Sequence, residues 1–298
     1  MNDPIGPGSH LTVDEINSQP AMWARALSDP DLAVDILPRP GQRALVVGCG
    51  TSYYIGDSYA ALRTASGQGR TRAAIASELT WVDDDEVVVV ISRSGTTSDV
   101  ERVALRLRGG HRVVGIIGMP GTPIDAACDG RVLLDFADEK SIVQTRFATT
   151  ALAVLRRSIG DATSHLSGDA EAALRAPSPL GGAQHVVFLG TGWTVGLAHE
   201  AALKCREAAG AWTEAYPVLE YQHGPIAAAG PGTLVWALTE VPAGLAQAIE
   251  RTGARLVEAS LDPMAELVRA QRVAVELAAR AGRNADEPHF LARSVVLG

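Results

Sequence analysis

The stretch Val87-Val-Val-Val-Ile-Ser-Arg-Ser-Gly-Thr-Thr97 decides the fold. Residues 87–91 are a run of β-branched side chains bounded by a polar turn, the pattern of a strand buried on both faces in a parallel sheet. The turn, residues 92–97, is rich in hydroxyls, and Val100, Val103, Ala104 and Leu107 then recur at helical spacing. A loop of this kind lies between the carboxyl end of a strand and the amino end of a helix. Backbone N–H groups there have no intrahelical partner, and the helix dipole favours an anion. Two readings stand: the loop cradles a phosphate monoester, or its Ser and Thr side chains cap the helix.

Working outward, short apolar strands alternate with longer helical segments. Strands are expected at 44–47, 71–76, 113–117 and 132–134, with helices at 53–64, 124–128 and 145–159. A helical region through Ala172 ends at the cluster Ala176-Pro-Ser-Pro-Leu-Gly-Gly182, which breaks the pattern and reads as a linker. Beyond it strands are expected at 185–189, 212–216, 233–238 and 255–258, and helices at 195–209 and 264–281. Strand–helix alternation predicts α/β architecture with doubly wound parallel sheets. Upstream, residues 1 to about 10 read as disordered. A short helix capped by Thr12 or Asp14 is interrupted near Pro20 and resumes through Trp23, Ala24 and Leu27. Residues 38–41, Pro-Arg-Pro-Gly, read as a linker. The expected organisation is an N-terminal helical arm at 1–40, a first sheet domain at 41–176 and a second at 183–298.

The halves echo each other. A strand leads into Gly48-Cys-Gly-Thr-Ser52 in one and Gly190-Thr-Gly-Trp-Thr194 in the other; a helix follows, then a strand near Glu78 or Glu214. The echo points to internal duplication. It stops at the hydroxyl loop, where the second half reads Thr239-Glu-Val-Pro242. One phosphate site per chain is expected.

Composition narrows the function. The chain has 298 residues, 47% of them hydrophobic, enough for a substantial core. Its net charge of −8 offers no electrostatic footprint for nucleic acid, so an anionic substrate needs a local positive site. Lys140 and Lys204 are the only lysines; arginine supplies the other cations. Three scattered cysteines, Cys49, Cys128 and Cys205, suggest neither disulfides nor a zinc site and fit a reducing cytoplasm. No basic-then-apolar leader opens the chain, and no apolar run is membrane-spanning in length.

Gly48-Cys-Gly50 resembles the start of a dinucleotide fingerprint, but Tyr53 stands where the third glycine belongs. No nicotinamide cofactor is expected. Thr51 and Ser52 instead place hydroxyls at a strand's carboxyl end. The histidines show no ligand-pair spacing, and Ser92 and Ser94 lie outside any nucleophile elbow, so neither a metal site nor serine hydrolase chemistry is expected. In residues 200–225, Glu207 lies in a mostly apolar helix and His223 precedes a Gly-Pro turn. They make a general base and acid pair, or a solvent-facing helix residue and a turn cap.

At this point the chain resembles the sugar isomerase (SIS) domain family in its double-domain form. The resemblance is to the isomerase half of glucosamine-6-phosphate synthase and to stand-alone amino-sugar-phosphate deaminases. It rests on Gly48-Cys-Gly-Thr-Ser52, Ser92-Arg-Ser-Gly-Thr-Thr97, Glu139-Lys-Ser-Ile-Val-Gln-Thr-Arg146 and Glu214-Ala-Tyr through His223-Gly-Pro225, in family order over nearly the whole chain. It implies two flavodoxin-like, three-layer SIS subdomains. It also implies that Ser92, Ser94 and Thr97, with Gly50, Thr51 and Ser52, hold a sugar 6-phosphate. Glu207 takes the position of the base that moves a proton between C1 and C2. His223 takes that of a histidine assisting ring opening, often from a partner subunit, hence a homodimer with shared sites. The 139–146 loop closes over the sugar.

Departures from the family follow. Met1-Asn2 offers no nucleophilic cysteine, so amino-sugar synthesis from glutamine is not expected. Arg293 stands where the synthase has a lysine; an arginine forms no Schiff base but can hold a sugar oxygen or phosphate. Gln144 replaces a small substrate-contacting residue, and Arg93 replaces a glutamine. Arg93 either adds charge to the phosphate site or pairs with an acidic neighbour. The implied substrate is a 6-phosphorylated amino sugar, with no cofactor, nucleic acid or membrane involved. Three activities are open: deamination with isomerisation of a 2-amino-2-deoxyhexose 6-phosphate, elimination of water from its N-acetylated form, and non-catalytic sensing. The last usually needs a DNA-binding segment, for which residues 1–40 are too short and acidic.

Overall fold

The computed structural model describes residues 8–297. Residues 1–7, most of the stretch expected to be disordered, lie outside them. The described chain divides into two compact units. A first-sheet unit comprises residues 18–140, 146–165 and 292–297, and a second-sheet unit comprises 8–17, 141–145 and 166–291. No helix among the described residues is long and apolar enough to cross a membrane.

The second-sheet unit begins with α1 (His10–Asn17). The first-sheet unit then runs α2 (Gln19–Ser28), β1 (Arg43–Gly48), α3 (Thr51–Ala65), β2 (Thr71–Ile75), β3 (Glu86–Ser92), α4 (Ser98–Leu107), β4 (Val113–Ile117), α5 (Pro123–Ala127), β5 (Gly130–Leu133) and α6 (Arg146–Ser158). The second-sheet unit continues with α7 (Leu166–Arg175), β6 (His185–Gly190), α8 (Thr194–Ala209), β7 (Thr213–Pro217), β8 (Thr233–Ala237), α9 (Ala243–Arg251), β9 (Arg255–Glu258) and α10 (Pro263–Arg280). Every expected strand is present. Helix α9 is the element the sequence did not announce: it follows Pro242 and has a glycine, Gly244, as its second residue, which masks its start.

In the first-sheet unit five parallel strands lie in the order β2-β1-β3-β4-β5, the flavodoxin-like order. β3 lies between β1 and β4, so all its residues are buried, and Val88, Val89 and Val90 are fully so. Each such valine contributes about 1.5–3 kcal/mol. The second-sheet unit has four parallel strands, β7-β6-β8-β9, the same order one strand shorter. Register supports duplication: Thr71 stands opposite Ala44 as Thr213 stands opposite Val186. The same register sets Glu214 against Arg72, so Glu220, not Glu214, echoes Glu78.

The units divide at other places than the Pro- and Gly-rich stretches. Trp23 of α2 is fully buried and its Nε1 donates to Thr149 Oγ1 of α6 (3.0 Å), which ties the end of the expected arm into the first-sheet unit. At the 38–41 stretch, buried Arg63 of α3 donates to the carbonyls of Arg39 (2.7 Å), Gln42 (3.0 Å) and Gly69 (3.1 Å) and to Thr71 Oγ1 (2.7 Å). At the 176–182 stretch Leu180 is buried, Arg272 Nη1 donates to Ala176 O (2.7 Å) and Arg280 Nη1 to Gly181 O (2.7 Å). Proline and glycine mark turns here, and arginines convert the turns into fixed parts of a unit.

Arg63→Met is expected to lower stability by about 3 kcal/mol or more, because several buried acceptors lose their donor at once. Urea unfolding reads this. A loss below about 1 kcal/mol would show that water replaces the guanidinium.

Candidate functional site

In an open parallel sheet, ligands bind outside the strands' carboxyl ends where successive connections leave to opposite sides. In the first-sheet unit that point lies between neighbours β1 and β3. The two turns singled out in the sequence emerge there. Gly48 ends β1, and a Cβ on it would lie 2.6 Å from Ser52 C, so only glycine lets α3 start this close. Gly50 follows at φ 52°, and buried Thr51 and Ser52 form the first turn of α3.

The adjacent loop leaves β3 at buried Ser92 and turns on Gly95 at φ +68°, where a Cβ would fall 2.0 Å from Thr122 Oγ1. Ser92 Oγ accepts from Gly95 N–H (3.0 Å) and Ser94 Oγ from Thr96 N–H (3.3 Å). Each serine thus shapes the loop as an acceptor and keeps its own proton to donate. Thr97 is the N-cap of α4, yet its side chain makes no capping bond. The N–H groups of Ser94 and Thr97 donate to no described residue. The capping reading of this loop therefore does not describe it; its open donors are those an anion needs.

The second half shows the contrast. Carrying the register of β8 against β6 forward sets Thr239, Glu240, Val241 and Pro242 where Ser92, Arg93, Ser94 and Gly95 stand. Val241 N–H donates to Glu258 Oε1 at 2.7 Å, and Pro242 has no N–H. A carboxylate of the chain itself closes that loop.

Arg93 is buried, with Nη1 3.9 Å from Glu139 Oε2 and Nη2 donating to Arg293 O (3.2 Å). It pairs with an acidic neighbour, the second of its two alternatives. Glu139, fully buried, accepts from Arg146 N–H (2.9 Å) and so holds the start of α6. Arg293 is engaged by the chain: Nη2 contacts both oxygens of Asp138 (2.6 and 2.8 Å) and Nη1 donates to Glu139 O. The tail continues along the loop, with Thr96 Oγ1 donating to Ser294 Oγ (2.9 Å) and Ser98 N–H to Val295 O (3.2 Å).

In the second-sheet unit Glu200, Lys204 and Glu207 share one face of α8. Lys204 Nζ lies 3.3 Å from Glu200 Oε1 and 2.5 Å from Glu207 Oε2. Lys204 is buried, which pushes its pKa down, but the two carboxylates outweigh burial and the net shift is upward. Glu207 is one-fifth exposed, so it meets both a buried cation and solvent. The sequence reading missed Glu200 and Lys204, although their spacing and the rarity of lysine were visible signals. It missed Asp138 because nothing local pairs it with Arg293. His223, itself exposed, ends the turn Glu220–His223, whose Tyr221 is buried, and its side chain bonds no described residue. Gln144 is half-buried, and its Oε1 has no hydrogen-bond partner among the described residues. Glu214 bonds His185 (3.1 Å) at the amino end of its sheet, away from the ligand end.

Gly95→Ala is expected to cost at least about 1–2 kcal/mol from the left-handed backbone alone. It should also abolish detectable binding of a hexose 6-phosphate in calorimetry; wild-type affinity would remove the loop from the anion site. The raised pKa of Lys204 means that its cation stabilises the fold in full below the ordinary lysine value of about 10.4 and is lost as pH rises through the higher folded value. Lys204→Met should therefore unfold about 3–5 kcal/mol more easily at neutral pH, the gap closing only above about pH 10. A gap that closes near neutrality would contradict the pairing.

Comparison with known proteins accords with this arrangement. Residues 39–156 match the family model described as SIS domain. Over 97% of its length the chain is 30% identical to the glutamine–fructose-6-phosphate aminotransferase [isomerizing] of Aeropyrum pernix, and it spans 57% of that relative. The glucosamine-6-phosphate deaminase of Thermotoga maritima superposes with a TM-score of 0.81 at 25% identity, covering 96% of this chain and 99% of that one. The tagatose-6-phosphate ketose/aldose isomerase of Escherichia coli shares the fold, with a TM-score of 0.75 at 18% identity over 99% of both chains. Residues 39–156 of the chain thus carry a SIS domain.

Proposed function

We propose that the protein converts a 2-amino-2-deoxyhexose 6-phosphate to a ketohexose phosphate by removing the C2 proton. The observation that carries this is Glu207, a carboxylate oriented by buried Lys204 and open to solvent on one side. The Ser92–Thr97 loop, with Thr51 and Ser52, holds the phosphate through hydroxyl and backbone donors. In the open-chain sugar Glu207 takes the C2 proton and an enolamine forms. Protonation at C1 gives the C2 imine; water adds, the C–N bond breaks and ammonia leaves. Arg293, tied to Asp138, orders the tail beside the loop and takes no covalent part.

His223 is exposed and bonded to no described residue, which suits a histidine that serves a second copy of the chain in a homodimer. The similarity to the Thermotoga deaminase, which covers nearly that whole chain, supports deamination.

Incubation with glucosamine 6-phosphate should release ammonia and a ketohexose phosphate, and Glu207→Gln should lower the rate about 10²–10⁴-fold while binding persists. Mixing inactive Glu207→Gln and His223→Ala proteins should restore activity through heterodimers with one intact site. Ultraviolet-absorbing unsaturated sugar from the N-acetyl substrate, with no ammonia from the free amine, would replace deamination by elimination. Tight binding without turnover of either would make the protein a sensor.

A further inference from the structure

A cavity of about 390 Å³ within the second-sheet unit has Glu207 in its wall. Leu203, Phe290 and Leu291 make one side of it apolar. Arg206 and Arg283 bring positive charge, in a chain whose net charge is −8. The two arginines differ. Arg206 Nη1 donates to Thr213 O (3.0 Å) and so fastens β7 to α8. Arg283 makes no side-chain hydrogen bond or ion pair with any described residue. Its guanidinium lies over Gly210, the left-handed C-cap of α8, where a Cβ would fall 2.1 Å from Nη1. Glycine at that position leaves room for the guanidinium.

Phe290 is a second, independent observation. Its φ of 61° makes it the one non-glycine residue at positive φ among the described residues, and its ring is fully exposed. A bulky residue in that conformation is strained, and the ring meets only the edge of the neighbouring His289 ring (centroids 6.2 Å apart) while staying fully exposed. Strain of this kind gathers at ligand clamps. The carboxyl-end dipole of α8 explains why a cation sits near Gly210. It explains neither the cavity nor Phe290.

We propose that the cavity is a subsite for a substituent on the C2 nitrogen of the substrate, a short apolar stem ending in a carboxylate. Arg283 takes the carboxylate, and Leu203, Phe290 and Leu291 take the stem. The proposal rests on Glu207 acting at C2, since what lies beside Glu207 then lies beside C2. The chemistry is unchanged in kind. The C2 imine adds water, the C–N bond breaks with its electron pair going to nitrogen, and an amino acid leaves in place of ammonia.

The test compares N-(carboxyalkyl)glucosamine 6-phosphate with its neutral primary amide by calorimetry and by kcat/KM. The carboxylate should be favoured by at least about tenfold in the wild type, by close to nothing in Arg283→Gln, and by an intermediate factor in Arg283→Lys. A ratio near one in the wild type, or one that survives in Arg283→Gln, overturns the subsite. Phe290→Gly should raise the melting temperature and weaken binding of the carboxyalkyl sugar; unchanged binding overturns the assignment of the apolar wall. Turnover of glucosamine 6-phosphate with no carboxylate preference sinks the subsite alone. Failure to bind or turn over any hexosamine 6-phosphate sinks the subsite together with the proposed function.

Discussion

A parallel strand that runs into a helix leaves N–H groups with nothing to bond, and this fold brings two such junctions side by side. β1 and β3 are neighbours whose following helices pack on opposite faces, so the starts of α3 and α4 stand next to each other. The dipoles of both helices add at one place. Glycine permits the approach at Gly48 and the turn at Gly95; a side chain at either would collide with the neighbouring helix start or with Thr122. The rest of the first-sheet unit preserves this geometry. Arg63 holds the segment before β1, Glu139 holds the start of α6, and the tail lies along the loop.

The second-sheet unit begins from the same plan and resolves it differently. Gly190 ends β6 as Gly48 ends β1, with a Cβ position 2.3 Å from Thr194 O. The equivalent loop, however, has a proline where the first half has its turning glycine, and Glu258 accepts the N–H that remains. Once an internal carboxylate satisfies the donor, an external anion gains little and would face repulsion. Duplication of the fold therefore did not duplicate the open donors of the hydroxyl loop, and the second copy carries its buried ion-pair cluster on α8 instead.

Burial sets the electrostatics of α8. A lysine inside a protein tends to lose its proton, and a carboxylate inside tends to gain one. Glu200, Lys204 and Glu207 oppose both tendencies by mutual contact, and the upward shift of Lys204 shows which force prevails. Arginine, used almost everywhere else in this chain, has a planar fork that does not replace the compact ammonium seated between two acids on one helix face.

The sequence by itself determined the strands, their alternation with helices, the duplication and the hydroxyl loop. These follow from local rules: a β-branched run, glycine at a turn, apolar residues at helical spacing. Its resemblance to a known family singled out Glu207 and His223 as candidates. Only the tertiary structure decided the partners. Whether Arg93 met an anion or Glu139, whether Arg293 was available or bound by Asp138, and whether Pro-rich stretches were linkers or fixed turns all depended on residues far apart in the chain. A charge's partner is set by where the backbone carries it, and neither composition nor spacing records that distance.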